Sequence, residues 1–201
     1  VIGITGTAGK TSVKEVLAHV LAMRGLTQRN PKNFNNQLGL PVSMLNASAD
    51  ASFWVMEAGI SEAHDMDELG AILRPDIALI LNVGQGHTEG LGKYGVAASK
   101  ARLLDYVQPG GIAVVSADYA DLNAELDARA GDLDARAVTV VRFAAAEAGA
   151  DFRAVYIGPS ESGQGGRYEV MVRDKRLDLD TPFRGNFGSE NVSAIYATAC
   201  K

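Results

Sequence analysis

Apolar runs alternate with amphipathic segments over the first two-thirds of the chain. The apolar runs are nearly continuous, which is typical of strands covered on both faces, and they predict strands at Val1–Thr5, Phe53–Glu57, Ile77–Asn82, Ile112–Ser116 and Ala137–Phe143. Between them, apolar positions at helical spacing predict helices at Thr11–Arg24, Glu62–Leu73, Val96–Tyr106 and Tyr119–Ala130. This alternation predicts an α/β fold, with a mostly parallel sheet and helices on both of its faces.

The pattern changes after about Gly149. Three shorter runs, separated by turn residues, predict a small antiparallel β appendage on the main sheet, at Phe152–Ile157, Arg167–Val172 and Lys175–Leu179. The intervening residues predict an exposed hairpin loop at Ser160–Gly166 and a tight turn at Arg173–Asp174. A final helix is predicted from about Ser189 to Lys201. Nothing in the pattern resembles a linker, so residues 1–201 are predicted to form one domain.

Composition narrows the function classes. The chain has 201 residues, of which 47% are hydrophobic and 21% are charged, and this length is enough to bury a sizeable core. The net charge of −5 gives no reason to expect nucleic acid as a partner, and no apolar run approaches a membrane span. The single cysteine, Cys200, is compatible with a reducing cytoplasm. Because the chain lacks an initiator Met and begins inside a predicted strand, we expect a piece of a longer multidomain protein.

The first predicted strand runs into a glycine-rich turn that opens directly into a helix, with the sequence Gly6-Thr7-Ala8-Gly9-Lys10-Thr11-Ser12. Small residues let backbone N–H groups converge on phosphate oxygens, and the start of the helix adds partial positive charge. Lys10 would reach the terminal phosphates of a nucleotide, and Thr11 would offer its hydroxyl to Mg²⁺. The usual phosphate-loop pattern has glycine where Ile4 stands, so this loop is shorter. The alternative is a turn that only connects two elements.

Polar residues at strand ends are the next candidates, because ligands of such folds bind beyond the carboxyl ends of the strands. Glu57 ends one predicted strand where the Mg²⁺ of the loop would lie, although a carboxylate there could instead cap the next helix. Asn82 ends another and leads into a glycine-rich turn that contains His87. For His87, a functional imidazole and a structural histidine are both open interpretations.

An amide-rich segment, Asn33-Phe34-Asn35-Asn36, follows the first helix. The carboxamides of Asn35 and Asn36 can donate to phosphate or carboxylate oxygens and accept from substrate N–H groups, which makes both candidates for substrate binding. The alternative is that asparagine simply favours a turn here. Lys100, on a later predicted helix, is by itself typical of an ordinary surface lysine.

Taken together, the shortened loop, the run Lys10-Thr11-Ser12-Val13-Lys14-Glu15 and the segment Asn33-Phe34-Asn35-Asn36 resemble the central ATP-binding domain of the Mur ligases. The resemblance covers essentially the whole chain. Within the family, these motifs are most similar to the branch that joins D-alanyl-D-alanine to a UDP-muramoyl-peptide. The resemblance implies a P-loop mononucleotide-binding fold and flanking domains in the same chain. It also implies a ligase of peptidoglycan precursor synthesis that uses ATP and Mg²⁺ to activate a carboxylate as an acyl phosphate.

The resemblance also assigns roles. Lys10 would contact the β- and γ-phosphates, and Thr11 with Glu57 would hold one Mg²⁺. His87 would ligate a second Mg²⁺, and Lys100 would carry a carbamate.

Two asparagines also receive roles from the resemblance. Asn36 would face the transferred phosphoryl group, and Asn191 would meet the adenine. Around Asn191 the chain departs from the family pattern, because Glu190 stands where members usually have histidine and Ala194 where they often have asparagine.

Two other functions stay open at this point. One is a different ligase of the same superfamily, of the folylpolyglutamate or poly-glutamate type. The other is a nucleotide-binding module without ligase activity.

Overall fold

A computed structural model describes residues 1–84, 95–172 and 175–201. Within these residues, nine strands form one sheet in the order β2-β3-β1-β4-β5-β6-β7-β8-β9. The strands are β1 (Ile2–Thr5), β2 (Thr27–Arg29), β3 (Phe53–Glu57), β4 (Ile77–Ile80), β5 (Ile112–Ser116), β6 (Thr139–Ala144), β7 (Phe152–Pro159), β8 (Gly166–Val172) and β9 (Lys175–Thr181). Neighbouring strands are parallel as far as β7, and β8 and β9 add to this edge in antiparallel order.

The helices are α1 (Lys10–Leu21), α2 (Gly39–Leu45), α3 (Asp65–Leu73), α4 (Gly95–Ala101), α5 (Ala120–Ala128), α6 (Ala130–Ala135) and α7 (Phe187–Ala199), and a 3₁₀ turn (Arg102–Tyr106) follows α4. They cover the sheet from both sides. Ala78 and Ile80 of β4 face a core formed with α2 to α6, whereas Leu79 faces a core formed with α1 and α7. The predicted parallel sheet with helices on both faces is confirmed. None of the described helices is long and apolar enough to cross a bilayer.

The predicted antiparallel appendage is also confirmed, and it continues the main sheet. β7 pairs in parallel with β6 over two residue pairs, Phe143 with Phe152 and Ala144 with Arg153. β7, β8 and β9 then form two antiparallel ladders. A third apolar cluster, which contains Tyr168 of β8 and Val192 of α7, attaches this part of the sheet to the last helix. The predicted turn at Arg173–Asp174 lies outside the described residues.

Several elements differ from the sequence prediction. The helix predicted over Val96–Tyr106 is an α-helix only as far as Ala101 and continues as a 3₁₀ turn. Thr27–Arg29 forms a strand at the edge of the sheet, although its residues are polar and give no apolar signal. Gly39–Leu45 forms a helix shortly after the amide-rich segment, where no helix is predicted; its Pro41 is tolerated because it falls in the first turn, where a missing N–H removes no intrahelical bond. The helix predicted over Tyr119–Ala130 ends at Ala128, and a separate helix follows.

Candidate functional site

The turn between β1 and α1 is shaped for an anion. Gly9 has a φ of 80°, in the left-handed region that favours glycine, and α1 begins directly after it at Lys10. A Cβ atom on Gly9 would lie 2.6 Å from Oδ1 of Asn191, so a larger residue here would force the Asn191 side chain to move. The N–H groups in the first turn of a helix have no intrahelical acceptor and carry partial positive charge, which suits a phosphate group.

Asn82, directly after β4, fixes the middle of this turn. Its backbone carbonyl accepts from Thr7 N at 3.0 Å, its Oδ1 accepts from Ala8 N at 2.8 Å, and its Nδ2 donates to Ala8 O at 3.2 Å. Two N–H groups of the predicted phosphate loop are therefore engaged within the protein. The donors that remain for a phosphate are those at the start of α1, beginning near Gly9.

Lys10 lies over the same turn. Its Nζ donates to Gly6 O at 2.8 Å and to Thr7 O at 3.4 Å. Burial lowers the pKa of Lys10, and the charge of the Glu57 carboxylate opposes this shift. The ammonium group is thus held at the loop, beside the carboxylate that the sequence predicts for Mg²⁺.

Glu57 and Thr11 meet at the carboxyl end of β3. The hydroxyl of Thr11 donates to Glu57 Oε2 at 2.9 Å, and Nδ2 of Asn35 donates to Glu57 Oε1 at 2.7 Å. The alternative that Glu57 caps the next helix is wrong, because among the described residues no side chain caps the start of α3, and the Glu57 carboxylate accepts from Thr11 and Asn35 instead. Thr11 and Glu57, which the resemblance assigns to one Mg²⁺, therefore lie within hydrogen-bonding distance of each other. Asn35, named above as a candidate for substrate binding, lies beside them.

Lys14 and Asn30 support Glu57, and the sequence analysis missed both. Lys14 is fully buried, its Nζ lies 3.6 Å from Glu57 Oε2, and it donates to Asn30 O at 2.9 Å and to Lys32 O at 2.8 Å. The side chain of Asn30 forms two hydrogen bonds with the backbone of Glu57, at 2.9 and 3.0 Å. A signal for Lys14 existed, since it lies one helical turn after Lys10 on the same face.

Asn36 is placed differently from Asn35. Its Oδ1 accepts from Leu38 N at 3.2 Å and from Gly39 N at 2.8 Å, so its side chain caps the start of α2 and is exposed. The adjacent Asn35 packs against Gly59, where a Cβ atom would lie 2.8 Å from Asn35 Nδ2. The structure thus brings Asn35 to the Glu57 carboxylate and leaves Asn36 at a helix start.

Lys100, at the end of α4, is buried with 5% of its surface exposed. The interpretation of Lys100 as an ordinary surface lysine is therefore wrong. Burial lowers its pKa to about 8, and the Lys10 ammonium adds to this shift, so the two lysines lie within electrostatic reach of each other. His87, the predicted second metal ligand, lies outside the described residues.

The first turn of α7 contacts the phosphate loop as well. Asn191 lies against Gly9, and the preceding Glu190 accepts hydrogen bonds from Asn82 Nδ2 at 3.0 Å and from Ser116 Oγ at 3.3 Å. Burial raises the pKa of Glu190, and the hydrogen bonds from Asn82, Tyr119 and Ser116 oppose that shift.

Comparison with known proteins identifies the family. The family model of the Mur ligase middle domain matches residues 4–199. The chain belongs to this family. It is 30% identical over 199 residues to the UDP-N-acetylmuramoyl-tripeptide--D-alanyl-D-alanine ligase of Escherichia coli (strain K12), in a match that covers 98% of this chain and 42% of that protein.

Solved structures agree with this assignment. A crystal structure of MurF from Acinetobacter baumannii is similar to the chain with a TM-score of 0.84 at 26% identity, over 99% of this chain and 42% of the other. A mutant of L. casei FPGS matches with a TM-score of 0.71 at 20% identity, over 99% of this chain and 57% of the other, which shows a shared fold. The chain thus spans about two-fifths of the length of the Escherichia coli and Acinetobacter baumannii ligases.

The Mur ligase middle domain offers suitable ligands for Mg²⁺. Glu57 Oε2 and Thr11 Oγ1 lie 2.9 Å apart, and both are hard oxygen donors of the kind that this ion prefers. Within the part of the chain that the structure describes, no group of three or more His, Cys, Asp or Glu side chains is placed to hold a metal ion.

Proposed function

We propose that this Mur ligase domain binds ATP for a ligase that joins D-alanyl-D-alanine to a UDP-muramoyl tripeptide, with release of ADP and phosphate. The observation that carries this proposal is the meeting of Lys10, Thr11 and Glu57 at one end of the sheet, where a helix begins on a left-handed glycine. Such a site holds the phosphates of a nucleotide and one Mg²⁺. The proposed substrates, UDP-muramoyl tripeptide and D-alanyl-D-alanine, are inferred from the similarity to the ligase of Escherichia coli.

In this proposal, each residue acts through position and charge. The N–H groups at the start of α1 bind phosphate oxygens, and Lys10 neutralises part of the negative charge on the terminal phosphates. Thr11 and Glu57 hold Mg²⁺, which when bound supplies the positive charge that lets a carboxylate approach the γ-phosphate. Buried Lys14 and Asn30 keep the Glu57 carboxylate in place.

Further parts of the proposal come from the family resemblance. Lys100 carries a carbamate, which converts a buried cation into an anion that supports the metal site, and its lowered pKa favours the neutral amine that reacts with CO₂. His87 ligates a second Mg²⁺. Asn36 faces the transferred phosphoryl group, and Asn191 contacts the adenine.

The experiment uses the full-length protein with ATP, Mg²⁺ and a panel of acceptor carboxylates, and it measures phosphate release. We expect release with UDP-muramoyl tripeptide plus D-alanyl-D-alanine, and none with a folate plus glutamate. Lys10→Ala should abolish release, whereas Lys175→Ala, at an exposed position in β9, should not change it. Release with the folate pair alone would assign the protein to the other ligase type, and ATP binding without release for any acceptor would favour a nucleotide-binding module.

The proposal also predicts the limits of this 201-residue chain. Because it spans only 42% of the length of the Escherichia coli relative, we expect the sites for the UDP-sugar and the incoming dipeptide to lie on flanking domains. The isolated chain should therefore not ligate. Ligation by this chain at a rate close to that of the full-length protein would contradict this division of labour.

A further inference from the structure

Residues at the ends of β4 and β5 and in the first turn of α7 are linked by hydrogen bonds, and the Asn82 side chain connects them to the phosphate loop. Asn82 follows β4, Ser116 ends β5, and Glu190 lies in the first turn of α7. The Glu190 carboxylate accepts from both of the other two, at 3.0 Å from Asn82 Nδ2 and 3.3 Å from Ser116 Oγ. Asn82 in turn forms two hydrogen bonds with the backbone of Ala8. A chain of polar contacts therefore runs from α7 to the middle of the loop.

Glu190 and the backbone of Ala8 together fix the orientation of the Asn82 carboxamide. An ionised carboxylate only accepts hydrogen bonds, so the NH₂ group of Asn82 has to face it. In that orientation, Oδ1 of Asn82 faces the N–H of Ala8 at 2.8 Å. A flipped carboxamide would place oxygen against the Glu190 carboxylate and against Ala8 O, and NH₂ against the Ala8 N–H, so all three of these hydrogen bonds would be lost.

The position of Ala8 controls the atoms beside it. Ala8 precedes Gly9, which takes the left-handed conformation before α1 begins and lies directly against Asn191. The start of α7 thus holds two consecutive loop residues. Glu190 holds Ala8 through the Asn82 side chain, and Asn191 contacts Gly9 directly. A shift of Ala8 would change the direction of the N–H groups that remain free for a phosphate.

We propose that Asn82 and Glu190 are positioning residues for nucleotide binding, which hold Ala8 so that the N–H groups at the start of α1 point at the phosphates. This inference rests on the proposed ATP site. It gives a role to Glu190, a residue at which this chain departs from the pattern of its family. It also implies that nucleotide binding depends on the orientation of the Asn82 carboxamide and not only on its presence.

The test exchanges the carboxamide of Asn82 and the carboxylate of Glu190, first singly and then together. Asn82→Asp places two carboxylates face to face, whereas Glu190→Gln keeps an acceptor oxygen for Asn82. In the double variant, the carboxylate introduced by Asn82→Asp would accept from both the Ala8 N–H and the amide introduced by Glu190→Gln, so the contact returns with its polarity reversed. Matched controls at exposed positions are Asn46→Asp, at the end of α2, and Glu161→Gln, in the loop before β8.

The readout is the affinity of the full-length protein for Mg·ADP, measured by calorimetry at a temperature where circular dichroism shows every variant folded. We expect Asn82→Asp to weaken binding about tenfold or more, because hydrogen bonds to a charged group are lost. Glu190→Gln should stay within about threefold of the original affinity. The double variant should regain part of what Asn82→Asp loses, since the two sites are coupled, whereas the hydrogen bond to Ala8 O stays lost. Both controls should leave the affinity unchanged.

Two results would overturn the inference: unchanged affinity in Asn82→Asp, or a double variant that binds no better than Asn82→Asp alone. If Asn82 had a purely structural role, Asn82→Asp would lower the melting temperature but leave the Mg·ADP affinity of the folded protein unchanged. That result would also contradict the inference. If Asn82→Asp does not fold, Glu190→Ala takes its place, with weaker binding expected and unchanged binding decisive against the inference. Failure of the unaltered protein to bind Mg·ADP would instead overturn the proposed function, together with this inference.

Discussion

At the scale of single residues, the contacts of the site converge on Glu57. Its carboxylate, only 2% exposed, meets the Thr11 hydroxyl, the Asn35 amide and the buried Lys14 ammonium. In the proposed site, this buried carboxylate is both a ligand of Mg²⁺ and the counter-charge of Lys14. Its removal should therefore affect function and stability together.

We predict that Glu57→Gln raises the Mg²⁺ concentration needed for half-maximal phosphate release about tenfold or more, because a neutral amide is a poorer ligand than a carboxylate. The free energy of unfolding should fall by about 2 kcal/mol or more, since Lys14 loses its buried counter-charge. Glu15→Gln is the matched control: Glu15 Oε1 lies 3.5 Å from the same Lys14 ammonium but on the outer surface. An unchanged Mg²⁺ requirement in Glu57→Gln would remove Glu57 from the metal site.

A second prediction concerns the proposed carbamate on Lys100. Its pKa is lowered to about 8, so the neutral amine that reacts with CO₂ becomes the main form as the pH rises past that value. Native mass spectrometry in bicarbonate should show one CO₂ adduct that grows as the pH is raised through about 8. The adduct should be absent in Lys100→Arg and present in Lys175→Arg. An adduct that survives in Lys100→Arg lies on another group.

The same shift has a consequence for stability. Because the folded state disfavours the charged form of Lys100, the unfolded chain binds more protons between about pH 8 and pH 10.5, and stability rises with pH across that window. Lys100→Met lacks this titration. In CO₂-free buffer at pH 7 we expect it to unfold at higher urea concentration, with a gain on the order of 2 kcal/mol that shrinks as the pH approaches 10. A gain that does not depend on pH would trace to packing alone.

Residues that are close in sequence to a motif or at the end of a strand could be predicted, and residues that act through tertiary contacts could not. Lys10 and Thr11 belong to one contiguous motif, and Glu57 ends an apolar run. Asn30 follows a strand whose polar sequence gives no signal, and it contacts Glu57 only because β2 and β3 pair. Glu190 reaches the site only because the last helix packs back across the sheet.

At the scale of elements, the start of α1 depends on the left-handed conformation of Gly9 and on its contact with α7. We predict that Gly9→Ala lowers the free energy of unfolding by about 1–2 kcal/mol from the backbone alone. It should also weaken Mg·ADP binding about tenfold or more, because the added Cβ would displace Asn191 and reorient the first turn of the helix.

Gly110 provides the matched control for this prediction. Its φ of 77° is close to the 80° of Gly9, and a Cβ atom there would meet nothing within 4 Å. Gly110→Ala should therefore show the same backbone effect on urea unfolding and leave Mg·ADP affinity unchanged. Equal affinities for the two variants would mean that the contact with Asn191 does not shape the binding site.

The sequence predicts well those strands and helices whose own hydrophobic pattern is enough to determine their secondary structure. The buried strands β1, β3, β4 and β5 carry nearly continuous apolar runs, and α1 carries an apolar stripe. By contrast, β2 is a short polar strand that exists because β3 offers a partner, and α2 begins where the Asn36 side chain caps it. Pairing and capping are decided by neighbours, so the local pattern does not contain them.

At the scale of the whole molecule, α7 joins the parallel and antiparallel parts of the sheet. It contributes Ala194 and Ile195 to the core shared with α1, and Val192 to the cluster under β8. Tyr168 lies fully buried in that cluster, where its hydroxyl donates to Gly185 O at 2.8 Å. The two parts of the sheet should therefore unfold as one cooperative unit.

We predict that Tyr168→Ala lowers the free energy of unfolding by about 3–5 kcal/mol, because it removes a large buried ring. The single tryptophan, Trp54 in β3, reports on the opposite end of the sheet. Its fluorescence and the far-ultraviolet circular dichroism should shift to the same lower urea midpoint. Tyr168→Phe should cost only about 1 kcal/mol, from the lost hydrogen bond. Separate midpoints for the two signals would show that the antiparallel strands unfold on their own.

The hydrogen bonds between Asn82 and Ala8 mean that the loop is encoded in two places, 74 positions apart in the sequence. A graft of residues 6–12 into another scaffold would lack the side chain that holds Ala8, so a transplanted binding site has to include the end of β4. The same holds for motif searches. A pattern that stops at Ser12 captures the part of the loop that the proposal places against the nucleotide. An asparagine after β4, a strand that pairs with β1, marks the part that holds the short loop in shape.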